Sequence, residues 1–154
     1  PLPAFIHGGG QESNYRSGTE NLPGICGFAA ACESTDAQAD IAHMKDLRDY
    51  CREKAAEVPG LVLIGKQDAP HIVNLALPGL RSQGIINCLQ TQEIYVSAGS
   101  ACSKGHRSHV LESLKLPPAV IDGSVRISFS CDNTQSDVDA LCNALEDAQK
   151  TLKG

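Results

Sequence analysis

Short apolar runs set between longer helical stripes are the feature that most constrains how this chain can fold. Residues 61–65 and 71–77 are rich in aliphatic side chains and are bounded by glycine or proline, which is typical of strands. Residues 124–129 alternate in polarity, as expected of a half-buried strand, and residues 94–97 predict a further short strand. The chain is therefore expected to contain a sheet of about four strands.

Helical periodicity accounts for much of the rest of the chain. Residues 23–57 predict a long helical stretch, with a bend expected near residues 34–36, and residues 82–92 and 108–116 predict two shorter helices. The bend separates a first half from a second half that carries one apolar stripe. These helices are long enough to cover one face of the sheet.

The last helix has a recognisable start. Thr134 and Asp137 have the spacing of a capping box, in which each side chain bonds the backbone of the other residue. Before it, Pro117 and Pro118 are expected to stop the helix over residues 108–116. The predicted fold class is α/β, a mixed or antiparallel sheet with helices on one face.

Composition narrows the class of protein. The chain has 154 residues, of which 42% are hydrophobic, and this is enough for one domain with a core. A formal net charge of -5 argues against a nucleic-acid surface, and no apolar run is long enough to span a membrane. Seven cysteines without a C-x-x-C pair disfavour a disulfide framework. A soluble protein in the reducing cytoplasm is expected.

Cys102 differs from the other cysteines because cations and a helix start surround it. A thiolate is the nucleophilic form of cysteine, and its pKa falls beside positive charge or at a helix N-terminus. A helix is expected to begin after Ser108 as its N-cap. An ordinary small core residue is the alternative interpretation. The cations available in sequence are Lys104, His106, Arg107 and His109.

Two other interpretations of nearby motifs are weak. Cys102, His106 and His109 could supply three zinc ligands, but the sequence offers no fourth ligand, so no metal site is predicted. Residues 60–66 resemble the start of a P-loop, but Gln67 stands where the magnesium-binding Ser or Thr belongs. Neither pattern therefore predicts the zinc site or the phosphate-binding loop that it resembles.

Arg126 and two glycine-rich loops are further candidates. If Val125 and Ile127 face the core, Arg126 faces the opposite side of the sheet and could offer a bidentate fork to a carboxylate. A solvated strand residue is an equally good interpretation. The loops at residues 8–12 and 16–21 are rich in glycine and polar groups, which suits an anion cradle or an exposed loop.

Taken in order, these motifs resemble one family. Together they are similar to the pyridoxal-phosphate-dependent cysteine desulfurases with an extended cysteine loop, a class V aminotransferase-like family. The resemblance covers nearly the whole chain and implies the small C-terminal domain of a fold-type I enzyme. The segments that carry it are residues 7–12, 16–21, 97–103, 108–111 and 125–128.

The resemblance also implies roles for individual residues. Cys102 matches the cysteine that takes sulfur from L-cysteine as a persulfide, leaving L-alanine. Thr19 matches a residue that binds the phosphate of pyridoxal phosphate held by the partner in a homodimer. Arg126 matches the arginine that binds the substrate carboxylate. The persulfide would pass to an acceptor such as an iron–sulfur scaffold protein.

One departure from the family pattern shapes the expectation for the chain itself. The cofactor-binding lysine of the family should precede the glycine-rich loop, and none of the lysines here has the expected neighbours. Residues 1–22 are expected to belong to a missing large domain. Residues 23–154 are expected to form the small domain, with the cysteine loop at residues 97–108. The chain alone is expected to be inactive.

Three alternatives remain open at this stage. The chain could be a stand-alone sulfur-carrier or thiol module without pyridoxal-phosphate chemistry of its own. The longer parent could prefer selenocysteine, since that substrate differs from cysteine only in its chalcogen atom. The third alternative is that the chain is a degenerate structural remnant.

Overall fold

The computed structural model of the chain describes residues 2–66, 68–98 and 107–153. Contacts between residues divide the chain into two units, Pro1–Asp36 and Ala37–Gly154. Cys102, the predicted sulfur-accepting residue, lies outside the described residues. The expected division of a longer protein between residues 22 and 23 remains a prediction.

The first unit consists of a looped segment and a helix. Ile6 forms a single parallel bridge with Arg16, so the chain loops round between them and runs in the same direction at both residues. The loop includes the turn Glu12–Asn14, in which all three residues have positive φ. Helix α1, Leu22–Ser34, follows the loop, and the side chain of its N-cap Asn21 accepts a hydrogen bond from the Gly24 N–H at 3.2 Å. None of the residues of α1 is buried.

The second unit is built on a three-stranded antiparallel sheet. The strands are β1, Val62–Leu63, β2, Ile72–Ala76, and β3, Ser124–Ser128, and they lie in sequence order. The register pairs Val73 with Ile127 and Leu75 with Val125. The α/β class and the antiparallel arrangement are confirmed, whereas the expected count of about four strands is wrong for the described residues.

The missing strand is the one predicted over residues 94–97. Here only Ser97 pairs with β3, in an isolated antiparallel bridge to Arg126. The Ile94 N–H instead donates to the Leu89 carbonyl at 3.1 Å, and the Tyr95 side chain is 76% exposed. Because Ile94 is still tied to the end of the preceding helix, the segment reaches β3 only at its last residue.

Five helices belong to the second unit as described. The long predicted stretch is broken after Ser34 instead of bent, and the helix expected over residues 108–116 is shorter at both ends. Pro118 begins a helix that the sequence did not predict, because proline suits the first helical position as well as a stop. The bounds are α2 Ala37–Glu57, α3 Ser82–Gln90, α4 His109–Ser113, α5 Pro118–Asp122 and α6 Gln135–Lys153.

The predicted capping box at the start of α6 is half formed. The Asp137 carboxylate accepts a hydrogen bond from the Thr134 N–H at 2.9 Å, as predicted. The Thr134 hydroxyl, in contrast, lies 2.7 Å from the Ser136 hydroxyl. Of the two side chains of the capping box, only the Asp137 carboxylate therefore bonds the backbone at the start of the helix.

The core lies on one face of the sheet. Val73, Leu75, Val125 and Ile127 are buried and form one cluster with apolar residues of α2, α3 and α6. Of the alternate residues of β2 and β3, Ala76 is also buried, and the others are partly buried or exposed. The helices thus cover one face, as expected, and the other face carries the polar side chains of these two strands together with Ile72 and Ala76. In the described part of the chain, no helix combines the length and apolarity needed to cross a membrane.

Candidate functional site

Arg126 stands in the middle of β3, on the face of the sheet opposite the helices. Its neighbours Val125 and Ile127 are 1% and 5% exposed, which fixes the direction of the arginine side chain, as the alternation predicted. Arg126 itself is half-buried. Its Nε is buried and has no hydrogen-bond partner within the described ranges. An unsatisfied buried donor is costly, so this guanidinium is suited to receive an acceptor such as a carboxylate.

Asn74 and Ser97 flank Arg126 on the two sides of β3. Asn74 is the cross-strand partner of Arg126 in β2, and its carbonyl oxygen accepts a hydrogen bond from the Ile64 N–H at 2.9 Å. Cross-strand partners have Cβ atoms about 5 Å apart on the same face. Asn74 was not singled out from the sequence, although its place between Val73 and Leu75 gives it the same facing as Arg126.

Ser97 joins this site to the segment that contains Cys102. Ser97 and Arg126 exchange both backbone hydrogen bonds, with a distance of 3.1 Å from Ser97 N to Arg126 O and 2.6 Å from Arg126 N to Ser97 O. The chain then continues through Ala98 to residues 99–106, which lie outside the description. The structure therefore brings the start of the predicted cysteine segment beside Arg126.

Arg107, at the far end of that segment, is ion-paired. Its Nε and Nη2 donate to the two carboxylate oxygens of Asp122 at 2.6 and 2.7 Å. The hydrogen bond from Arg107 lowers the pKa of Asp122, and the same bond raises the pKa of Arg107. Arg107, one of the cations expected to act on Cys102, thus has a carboxylate partner in Asp122, and its expected effect on Cys102 stays a prediction.

The helix start after this segment also differs from the expectation. Ser108 occupies the N-cap position of α4, but its side chain makes no capping hydrogen bond. His109 is the first residue of the helix and is exposed. Cys102 and His106, two of the three possible zinc ligands, lie outside the described residues, so the zinc-site interpretation stays untested. No group of three or more His, Cys, Asp or Glu in the described ranges could hold a metal.

Thr19 lies in the first unit, in the second of the two glycine-rich loops. Arg16 Nη1 donates to the carbonyl oxygens of Gly18 and Thr19, both at 3.3 Å, and the Gly18 N–H donates to the Gln11 side chain at 3.1 Å. Ser17 is buried, and its hydroxyl accepts from the Gly10 N–H at 3.2 Å. These bonds hold the two loops together and leave Thr19 exposed.

The other described cysteines divide by burial. Cys51 and Cys142 are buried in the core cluster, and burial raises the pKa of their thiols to about 12 and about 11. Cys88 is half-buried, and the remaining described cysteines are exposed. Burial in apolar surroundings makes Cys51 and Cys142 poor nucleophiles. The six described cysteines are all free thiols.

One cleft close to this site is separate from it. It has a volume of about 450 Å³ and lies between the segment before Ser97, the end of β3 and the start of α6. Phe129, Leu141 and Tyr95 are among its lining residues, whereas Arg126 and Ser97 are not. The cleft opens where the predicted fourth strand fails to pair.

A family model and several known proteins match nearly all of this chain. The model described as aminotransferase class-V matches residues 6–141. The human selenocysteine lyase is 34% identical over 99% of this chain and 37% of its own length. The cysteine desulfurase IscS of Methanosarcina thermophila is 33% identical over 99% of this chain and 39% of its own length. The chain thus spans less than half the length of these relatives.

Solved structures agree with the sequence matches. A NifS-like protein superposes with a TM-score of 0.82 and 30% identity, covering 99% of this chain and 40% of that protein. The cysteine desulfurase CsdA of Escherichia coli superposes with a TM-score of 0.70 and 28% identity, covering 88% of this chain and 32% of that protein. The fold seen here is therefore shared with part of each of these larger proteins.

Proposed function

Because this chain belongs to the class-V aminotransferase family, we propose that it forms the C-terminal part of a pyridoxal-phosphate-dependent cysteine desulfurase. The observation that carries the proposal is the pairing of Ser97 with Arg126. It sets the start of the Cys102 segment beside a guanidinium whose buried Nε has no partner in the described structure. A carboxylate-binding group and a candidate nucleophile are needed together in a desulfurase.

Arg126 binds the α-carboxylate of L-cysteine in this proposal. The arginine fork is matched to a carboxylate, and Nε is one of its donors. Val125 and Ile127 hold the arginine in place because both are locked in the core. Asn74 lies directly across on β2 and on the same face.

Thr19 is proposed to bind the phosphate of the cofactor, which would belong to the partner subunit of a homodimer. Its exposure and the fixed backbone of residues 18–19 suit a contact with a group outside this chain. Pyridoxal phosphate, when bound, withdraws electrons from the substrate and weakens its C–S bond. None of the described lysines has the sequence setting expected of the cofactor lysine, so the chain alone is expected to form no alanine.

Cys102 is proposed as the sulfur acceptor. Its thiolate attacks the sulfur of the bound cysteine, so that an S–S bond forms and the C–S bond breaks. The electron pair of that bond stays with carbon, which takes up a proton and becomes the methyl group of L-alanine. The sulfur remains as a persulfide on Cys102 until a carrier, such as an iron–sulfur scaffold protein, accepts it. The free thiols of the chain suit a reducing compartment, and we propose the cytoplasm.

The decisive experiment compares two cysteine variants in the longer protein that contains this chain. Cys102→Ser is expected to abolish sulfide release from L-cysteine while the absorbance of bound pyridoxal phosphate is unchanged. Cys131→Ser is the matched control, because Cys131 is an exposed thiol outside the site and its loss should leave turnover unaffected. Normal turnover by Cys102→Ser would overturn the assignment.

Arg126→Lys tests the substrate site independently. Lysine keeps the positive charge but loses the fork, so the KM for L-cysteine should rise about tenfold or more. Kinetics at saturating and limiting substrate separate this from an effect on kcat. An unchanged KM would remove Arg126 from the substrate site.

Selenocysteine cleavage is the second candidate function, because selenocysteine lyases are among the relatives at 33% to 34% identity. Both substrates present the same carboxylate to Arg126. The two functions are separated by measuring alanine formation from each amino acid at equal concentration. A rate with selenocysteine far above that with cysteine, retained in Cys102→Ser, would favour the lyase.

A further inference from the structure

Helix α1 exposes apolar side chains on all of its sides. From Leu22 to Cys32 its residues are apolar, glycine or cysteine, and the first charged residue of the helix is Glu33. Leu22, Ile25 and Phe28 are nevertheless 64%, 52% and 74% exposed. A helix that is apolar all round is normally found in the interior of a protein. α1 therefore combines the composition of a buried helix with the exposure of a surface helix.

The two sides of α1 differ in the size of their side chains. Leu22, Ile25 and Phe28 follow one another at intervals of three residues and share one side of the helix. Gly27 and Ala30 lie on the opposite side, and a Cβ at Gly27 would meet no atom within 4 Å. One side can therefore fill an apolar hollow, while the other permits close approach of a second element. Cover on a single side would leave apolar surface exposed.

The first unit has no apolar core of its own. Within residues 2–36, the part of this unit that the structure describes, no apolar side chain is buried, whereas the polar Ser17 is. Leu2 and Phe5 are 79% and 87% exposed. A unit of this size buries too little apolar surface to be stable without further support. An apolar surface from elsewhere would supply that support.

We propose that α1 is a docking helix, enclosed by the part of the longer protein that lies outside this chain. This inference rests on the portion of the proposed function that places the chain in a longer enzyme. The sequence relatives are more than twice as long as this chain. The match to the NifS-like structure covers 99% of this chain, so α1 is included, and most of that larger protein lies outside the match.

A second copy of this chain fits α1 less well. A twofold contact would bring one surface of the partner against one side of the helix, whereas α1 is apolar on both sides. A larger polypeptide can pack against both. In this proposal α1 belongs with the loops that precede it, and the longer protein divides after Asp36.

Alkylation of the two cysteines of α1 is the direct test. Cys26 and Cys32 are exposed in this chain, and they lie about 120° apart around the helix, so protection of both requires cover on more than one side. In the longer protein both should react with iodoacetamide at least about tenfold more slowly than in this chain. Cys131, an exposed thiol of the second unit, is the matched control and should react at the same rate in both proteins. Peptide mass spectrometry follows each site.

Phe28→Gln tests the larger side of the helix by a second measurement. Phe28 is exposed in this chain, so the substitution should leave the Tm of the chain unchanged. In the longer protein the same substitution should lower the Tm by at least about 4 °C, because a buried aromatic contact is lost. The chain alone thus serves as the control for effects within α1 itself. An equal Tm shift in the two proteins would contradict the docking role.

Two labelling results would overturn the inference. Equal rates at Cys26 and Cys32 in the two proteins would show that α1 is not enclosed, while the sulfur-acceptor role, judged by Cys102→Ser, would stand. Labelling of this chain that slows as its own concentration rises would assign α1 to a contact between two copies instead. Normal turnover by Cys102→Ser would overturn the sulfur-acceptor role without changing either labelling rate.

Discussion

Ser97 and Arg126 are joined by two backbone hydrogen bonds, although no other residue of the Ile94–Ser97 segment pairs with β3. This isolated pair makes the first residue of the predicted cysteine loop a neighbour of the best substrate-binding candidate. The contact is between main-chain atoms, so it depends on the Ser97 backbone and not on the serine hydroxyl.

Substitution of Ser97 by proline should break this contact. Proline has no N–H to donate to the Arg126 carbonyl, whereas Ser97→Ala keeps both hydrogen bonds and is the matched control. Hydrogen exchange followed by NMR is the measurement. The Arg126 amide should exchange at least about tenfold faster in Ser97→Pro and at the native rate in Ser97→Ala. Equal protection in both variants would show that the pair does not hold in solution.

Gly123 should tolerate no side chain. A Cβ at this position would fall against the Leu77 carbonyl oxygen and within 3.1 Å of the Leu80 carbonyl oxygen. Both obstacles are backbone atoms, so Gly123→Ala should lower the free energy of unfolding by roughly 1–3 kcal/mol. Gly27 in α1 is the control, because a Cβ there meets nothing within 4 Å. Urea titration of Gly27→Ala should show no loss, and an undiminished Gly123→Ala would contradict the packing described.

Asp137 should stabilise α6 mainly above about pH 4. The hydrogen bond from the Thr134 N–H lowers the pKa of the Asp137 carboxyl below its ordinary value of 3.8. A lowered pKa means that the stabilisation is present above the unfolded value and is lost as the pH falls through the folded value. Asp137→Ala should cost roughly 0.5–1 kcal/mol at pH 7 and much less at pH 2.5.

The control for Asp137 is the nearby Asp132. That residue is also exposed and acidic, but it is its backbone N–H that donates a hydrogen bond to the Ser130 hydroxyl. Asp132→Ala should therefore leave the free energy of unfolding nearly unchanged at both pH values. A pH-independent loss in Asp137→Ala would indicate that the charge of the carboxylate is not what caps the helix.

Alkylation should separate the cysteines by burial. Cys26, Cys32 and Cys131 are exposed and should react with iodoacetamide within minutes at pH 8, since the reagent can reach their sulfur atoms directly. Cys51 and Cys142 should react at least about a hundredfold more slowly, because burial raises the pKa of both thiols. Peptide mass spectrometry follows each site. Rapid labelling of Cys51 in folded protein would contradict the core described here.

Sequence patterns predicted the parts of the fold that depend on local chemistry and on one-sided burial. Apolar stripes located α2, α3 and α6, and alternation placed Arg126 opposite the core. The patterns failed where the structure of a segment depends on its contacts with another part of the chain. Residues 94–97 have strand-forming side chains, but strand pairing also needs a neighbouring chain at the right distance, and Ile94 is held by Leu89 instead.

The site shows the same division. Arg126 could be singled out because its facing follows from Val125 and Ile127. The contact between Arg107 and Asp122 could not be predicted, because the two residues are separated by a helix and a turn whose geometry the sequence does not specify. The sequence therefore identified Arg107 as a cation but not its carboxylate partner.

The shortness of β1 has a consequence for how the sheet meets other chains. An exposed sheet edge can pair with a strand from another molecule, and this risk grows with the number of free backbone groups along the edge. β1 offers only Val62 and Leu63, and Gly65 beyond it has a φ of 78°, which no extended strand can adopt. On the opposite edge, Ser97 occupies the middle of β3. The sheet is thus poorly suited to recruit foreign strands, even when the chain is studied on its own.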